Sequence, residues 1–242
     1  MTGLYLSVVI PAYNEERRVP KTLEEIDKYL SKQNYNYEII VVNDGSKDKT
    51  AEVVKEKVFV MRNLKLIDNK ENRGKGYVVR QGLLEAKGEY RVFTDADNST
   101  SIDQVEKMRS CFKEGYDIVI GSRDIEGAIL DPPQPLSRRL LGEVFGFLTN
   151  LIVGTWGIKD SQCGFKGFTK KAVESIFPRC KIHRFAFDPE ILIIGKKLGY
   201  KIKEIPVYWK NDPESKVKFK WMINMGLDLL KIRLNIITNK YD

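Results

Sequence analysis

Histidine is almost missing from this chain of 242 residues: His183 is the only one. One imidazole makes a zinc site or a Ser-His-Asp triad unexpected. Cysteine is sparse too. Cys111, Cys163 and Cys180 are widely spaced and odd in number, which fits reduced thiols better than a disulfide framework. No apolar run approaches the roughly 18 residues that suggest a membrane span. The first residues lead straight into an apolar strand with no basic n-region or cleavage site, so a secreted product is not expected. Internal repeats, low-complexity segments and nucleic-acid recognition motifs are also lacking, and no nucleic-acid partner is expected.

What is present is an ordinary globular balance, 42% hydrophobic and 31% charged, long enough for one large α/β domain. The net charge of +8 is unevenly placed: residues 195–242 carry eleven Lys/Arg against five Asp/Glu. A local basic surplus suits anionic lipid or phosphate-bearing substrates.

The first half alternates strand and helix patterns. Apolar runs at Leu6–Ile10, Glu38–Val42, Leu64–Ile67, Tyr90–Thr94 and Asp117–Gly121 predict strands, with helices from about Pro20 to Gln33, from Lys49, from Tyr77 to Ala86 and from near Ile102. That alternation predicts a mostly parallel sheet covered by helices on both faces. In the second half, a Pro-rich break at residues 132–135 precedes an apolar helix over Leu136–Val153. Helices are expected at Lys170–Phe177 and Pro189–Leu198, and a strand at Lys201–Val207. The halves read as one continuous domain.

The segment "FTDADNSTS" sets Asp95 and Asp97 at the end of a strand. These acids either build a turn and cap the following helix or line a site at the sheet edge. The other strand ends carry Asn14, Glu15 and Asp44, and capping alone gives no reason for carboxylates to gather there. Paired carboxylates suit Mg²⁺ or Mn²⁺, with a substrate diphosphate completing the coordination. The loop Asn72-Arg-Gly-Lys-Gly76 before a helix is either a phosphate cradle or a plain turn.

Taken in order, "SVVIPAYNEE", "VVNDGSKDKT", "NRGKGYVVRQG", "FTDADNST" and "GSR" resemble the motifs of the GT-A glycosyltransferases. "DSQCGFKGFTKKA", "HRFAFDPEIL", "EIPVYWKNDPESKV" and "WMINMGLDLLKIRL" narrow the resemblance to the dolichyl-phosphate (polyprenyl-phosphate) glucosyltransferases. The enzymes that make dolichyl-phosphate mannose from GDP-mannose are the nearest alternative, and a same-fold transferase with a soluble or polysaccharide acceptor is another. The likeness runs from Leu4 to about Leu234. It implies a single-domain, Rossmann-like GT-A fold, with residues 1–123 binding the nucleotide sugar and 124–242 the acceptor.

By resemblance, Pro11, Tyr13 and Glu15 lie at the nucleotide-binding strand end, and Asp44 matches the acid that contacts the base. Lys75 falls in the glycine-rich nucleotide loop. Asp95 and Asp97 match the DxD pair that holds the metal and diphosphate. Arg123 and Asp160 are implied at the catalytic centre, with Asp160 near the donor sugar. Arg138, Arg139, Lys210 and Lys216 are implied at the acceptor phosphate. The resemblance also implies inverting transfer from UDP-glucose to dolichyl phosphate by a protein peripheral on the cytoplasmic face of a membrane.

For the membrane, Trp221, Met225, Leu229, Ile232 and Ile236 recur at helical spacing, with Lys218, Lys220, Lys231, Arg233 and Lys240 nearby. This stripe is expected to lie on anionic lipid. Docking onto the protein's own core is the alternative.

Overall fold

The computed structural model describes residues 3–133, 136–210 and 219–242, with side chains described throughout these except at 136–139, 141 and 219–223. Strand β1 (Leu6–Ala12) and strand β2 (Tyr37–Asp44) are buried almost throughout, which is why both read as near-continuous apolar runs rather than alternating ones. Between them α1 (Val19–Leu30) buries Val19, Leu23, Ile26 and Leu30, a stripe at three- and four-residue spacing. Each such fully buried side chain contributes about 1.5–3 kcal/mol. Pro20 sits in the first turn, where a missing N–H costs nothing.

The chain continues through α2 (Thr50–Val60), β3 (Leu64–Asn69), α3 (Lys75–Glu85), β4 (Tyr90–Phe93), α4 (Val105–Lys113) and β5 (Ile118–Ser122). The second half adds β6 (Ile129–Asp131), α5 (Leu136–Val153), β7 (Lys166–Thr169), α6 (Lys170–Ile176) and α7 (Phe187–Lys197). It ends with β8 (Ile202–Pro206), β9 (Tyr208–Lys210) and α8 (Phe219–Ile237).

Among the described residues the main sheet runs β3-β2-β1-β4-β7-β5-β8, and β6 and β9 form a separate parallel pair. Helices cover both faces. One core joins α3, α6 and α7 with residues of α5 and α8, and the other joins α1 and α4 with Val54 of α2. Strand order reverses at β1, which pairs in parallel with β2 on one side and β4 on the other. The loops after β1 and β4 therefore diverge and leave a crevice at the carboxyl edge of the sheet.

Strand β7 is antiparallel to both neighbours, β4 and β5. The sequence reading assigns no strand there, because Lys166 and Gly167 interrupt the apolar pattern. The strand pairs there all the same, with the whole Lys166 side chain buried. Its position also places second-half residues in the middle of the sheet.

The stripe expected to face lipid faces inward instead: Met225, Leu229 and Ile232 are buried and Ile236 packs against the core. The side chain of Trp221 and the segment containing Lys218 lie outside the described residues. Core burial won because α8 packs along α5 and its inner side chains join the core that α7 also builds. A second stripe on α8, Leu227, Leu230, Leu234 and Ile237, is left exposed.

Candidate functional site

Four strand-end loops meet at the crevice. The loop after β1 is laced to the loop after β2: Asn14 N–H donates to Ser46 Oγ, Glu15 N–H to Thr50 Oγ1 and Glu16 N–H to Asp48 Oδ2. Pro11 sits inside β1, and Tyr13 is 44% exposed at the mouth. The Glu15 carboxylate accepts twice from Arg18, at 2.6 and 2.5 Å.

Asp44 ends β2 and fixes the glycine-containing loop. Its carboxylate accepts from Arg73 N–H at 2.7 Å, Gly74 N–H at 2.9 Å and the Asn72 side-chain amide at 3.0 Å. Burial pushes the Asp44 carboxyl up, while the Arg73 and Gly74 N–H bonds pull it back. The loop sets Lys75 at the start of α3, with Nζ 2.5 Å from Asp95 Oδ1.

The Asp-Ala-Asp turn is held from both sides. Ala96 is buried and its carbonyl accepts from Thr22 Oγ1 of α1 at 2.7 Å. Lys210 N–H donates to the Ser99 carbonyl at 2.7 Å, and Thr100 bridges to Trp209. Asp97 Oδ1 accepts from Ser99 N–H at 2.9 Å. Burial raises the Asp97 carboxyl above its ordinary range, and the neighbouring Asp95 charge adds to that. Burial likewise raises Glu15, opposed by Arg18 and reinforced by Asp97 and Asp95. Glu15, Asp95 and Asp97 thus share one field of negative charge, which a cation would relieve.

No cluster of three or more His, Cys, Asp or Glu able to hold a metal occurs among the described residues. Two carboxylates are nevertheless the complement Mg²⁺ commonly takes when substrate phosphates supply further oxygens. The donor set of Asp95 and Asp97 fits such an ion.

Arg123 and Asp160 come together beside this turn. Arg123 Nε and a terminal nitrogen lie 2.7 and 2.9 Å from the two Asp160 oxygens, and the Arg123 N–H donates to Asp160 Oδ2 at 3.0 Å. Burial would raise the Asp160 carboxyl, but the Arg123 charge and hydrogen bonds outweigh it and hold it low. The Arg123 guanidinium also lies 5.6 Å from the Trp209 ring centroid. Cys163 is fully sequestered, and burial pushes its thiol up to about 11, so it is no nucleophile at neutral pH.

Lys210 lines a cavity of about 370 Å³ together with Arg17, Lys21, Tyr208 and Asp97. Arg138 and Arg139 fall in the first turn of α5, and their side chains lie outside the described residues, as does Lys216. Lys166, Asp188 and Trp209 are not singled out by the sequence. The first two are buried charges, and "CGFKGF" and "FAFDPE" mark them only as ions inside apolar segments.

Comparison with known proteins bears on the family and the fold. The family described as "Glycosyl transferase family 2" matches residues 7–177. A dolichyl-phosphate beta-glucosyltransferase of Trichomonas vaginalis is 40% identical over 251 residues, covering 97% of this chain and 76% of that protein. The Homo sapiens protein of the same name is 36% identical over 250 residues, covering 98% and 77%. Among solved structures, the glucosyl-3-phosphoglycerate synthase of Mycobacterium tuberculosis, in complex with Mn²⁺, UDP and phosphoglyceric acid, superposes with a TM-score of 0.68. It is 18% identical, with 96% of this chain and 78% of that chain covered, and supports the GT-A fold.

Proposed function

Because the chain belongs to glycosyl transferase family 2 and is a glycosyltransferase, we propose that it transfers glucose from UDP-glucose to the phosphate of a dolichyl or other polyprenyl phosphate, inverting the anomeric carbon. The observation that carries this reading is the meeting of Asp95 and Asp97 with Lys75 and the loop pinned by Asp44 at one sheet edge. The names of the relatives at 36–40% identity give the sugar and the lipid acceptor.

The crevice separates two tasks. Asp44 holds the Asn72–Gly74 loop in a fixed shape for the nucleotide, and Lys75 reaches the acid that faces the diphosphate. A bound Mg²⁺ or Mn²⁺ would supply Lewis-acid neutralisation of the leaving diphosphate. Lys75 adds a fixed positive charge at the same place, stabilising the charge that develops as the glycosidic bond breaks.

The acceptor needs no general base. A phosphate monoester has its second pKa near 6 and is already mostly the dianion at neutral pH. Asp160 is unsuited to proton transfer, since it is held low and fully engaged by Arg123. The pair instead fixes a guanidinium beside the site. Lys210 offers positive charge in the cavity it shares with Asp97, and Arg138, Arg139 and Lys216 are proposed to assist at the acceptor phosphate. Attack from the face opposite the leaving diphosphate gives a β-linked glycosyl phosphate lipid.

A lipid acceptor requires a route to the bilayer. No helix among the described residues is long and apolar enough to cross a membrane. The exposed Leu140, Val144, Phe147 and Leu151 of α5 and Leu230 and Leu234 of α8 lie on two helices packed together. These exposed apolar side chains support a peripheral position on a membrane surface, and the cytoplasmic side is part of the proposal.

A donor panel with polyprenyl phosphate and Mg²⁺ or Mn²⁺ tests the reading. Label from UDP-glucose is expected in the organic phase, as a β-linked product by NMR. Transfer from GDP-mannose alone would make the chain a mannose transferase, and label retained in water with soluble acceptors would reject the lipid.

A further inference from the structure

The side chain of Lys166 is fully buried, yet its ammonium touches the supports of Asp95 on both flanks. Strand pairing sets Lys166 opposite Phe93, two residues before Asp95. The Lys166 ammonium lies 5.4 Å from the Phe93 ring centroid, donates to the Cys163 carbonyl at 2.6 Å and lies 2.5 Å from Asp188 Oδ1. An ammonium has three donors and costs several kcal/mol to bury unless paired. Nothing in the fold alone calls for an ion here, since β7 could fill the space with an apolar side chain.

Each partner leads to Asp95. The Cys163 carbonyl precedes Gly164, whose backbone lies so close beneath Asp95 that an added Cβ would fall 1.9 Å from Asp95 Oδ2. Asp188 is in the first turn of α7, and Gly76 of α3 packs so tightly on the preceding Phe187 that an added Cβ would fall 2.6 Å from Phe187 Cβ. That contact sets Lys75 beside Asp188 while its ammonium rests on Asp95 Oδ1 at 2.5 Å. The charges of Asp95 and Asp188 both act on the Lys75 ammonium.

We propose that Lys166 is a positioning residue for the diphosphate-metal acid Asp95: one buried ammonium fixes the Gly164 floor on one side and, through Asp188, the Lys75 partner on the other. The inference rests on the proposed role of Asp95. It assigns functions to Lys166 and Asp188 that need no contact with substrate. Without Lys166, Asp188 is left as an unpaired anion, draws Lys75 away from Asp95, and the 163–164 turn loses its tie.

The test is Mn²⁺ binding by the purified protein, followed by EPR in the presence of UDP, alongside thermal melting and donor kinetics. Lys166→Met removes a cation, so charge alone predicts tighter Mn²⁺ binding, whereas positioning predicts binding at least tenfold weaker. Lys166→Met combined with Asp188→Asn leaves the net charge unchanged, so charge alone predicts no change. Positioning again predicts a tenfold loss, with KM for the donor raised and KM for the lipid phosphate unmoved.

Should the single variant fail to fold, the charge-neutral double variant carries the test. Should that also fail, Lys166→Arg, which keeps the charge and changes only the fit of the buried cation, must weaken Mn²⁺ binding while leaving metal-free UDP binding intact. Folded variants that bind Mn²⁺ with UDP as tightly as the parent overturn the proposal. A parent that binds no Mn²⁺ with UDP or GDP overturns the metal reading itself, and a parent that binds Mn²⁺ but transfers no glucose rejects only the proposed reaction.

Discussion

Arg123 and Asp160 form a forked ion pair across 37 residues of chain, with both carboxylate oxygens engaged and the Arg123 backbone N–H added to the same acid. The pair ties the end of β5 to the loop before β7. Glu204 fixes that loop from the other side by accepting from Lys159 N–H and Asp160 N–H at 2.9 and 3.0 Å. Removing one member of a buried pair leaves an uncompensated ion, at a cost of about 3–5 kcal/mol. Asp160→Ala is therefore expected to lower stability by about that amount and to reduce kcat. Chemical denaturation and steady-state kinetics check both, and an unchanged denaturation midpoint rejects the structural half of the claim.

The same pair makes a pH prediction with a definite sign. The folded Asp160 carboxyl is held below its ordinary value, so its contribution is present above the unfolded pKa of about 3.9 and is lost as pH falls through the lower folded value. Calorimetry should show the melting temperature of the parent falling more steeply below about pH 4 than that of Asp160→Asn. Parallel acid limbs for the two proteins would remove Asp160 from the acid response.

The parallel half of the fold was legible because buried strands such as Val8–Ile10 and Ile39–Val42 are unbroken apolar runs and the α1 stripe keeps helical spacing. The acids at the strand ends were legible for the same reason, since strand positions fix where their loops gather. Strand β7 was not, because a buried lysine and a glycine disguise it. The inward face of α8 was not legible either: Met225 and Leu229 repeat at the same spacing whether lipid or core covers them. Periodicity reports that a face is buried and leaves open against what.

Asp97→Ala is expected to lower turnover by roughly 100-fold or more, since charge stabilisation at the leaving group is lost. Excess chelator should do the same to the parent, with recovery on adding Mg²⁺ or Mn²⁺. Full activity of either preparation would detach Asp95 and Asp97 from a metal role.

Asp44→Ala should act on the donor. Its carboxylate accepts from Arg73 N–H, Gly74 N–H and the Asn72 amide, and bonds to a charged group contribute about 1.5–3 kcal/mol each. Releasing this loop is expected to raise KM for the nucleotide sugar by about tenfold, near 1.4 kcal/mol, with little change in KM for lipid phosphate. An effect confined to the acceptor would move Asp44 away from the nucleotide side.

Membrane binding separates the two faces of α8. Leu229 is 1% exposed in the core, whereas Leu230 and Leu234 are each 56% exposed, and Phe147 of α5 is 57% exposed. Lys231 and Arg233 sit on the same helix, and each cation near anionic lipid contributes about 1 kcal/mol. Leu229→Ala should therefore cost about 2–5 kcal/mol of stability and leave vesicle binding per folded molecule unchanged. Leu234→Glu combined with Phe147→Glu should do the reverse, keeping the melting temperature near the parent's while abolishing sedimentation with anionic vesicles. Binding of the parent should weaken as salt rises, because Lys and Arg supply part of the attraction. Activity on vesicle-embedded acceptor should fall with binding, while activity on a short, water-soluble prenyl phosphate is retained. If the parent stays in the supernatant at low salt, or the double variant sediments like the parent, the exposed face has another use.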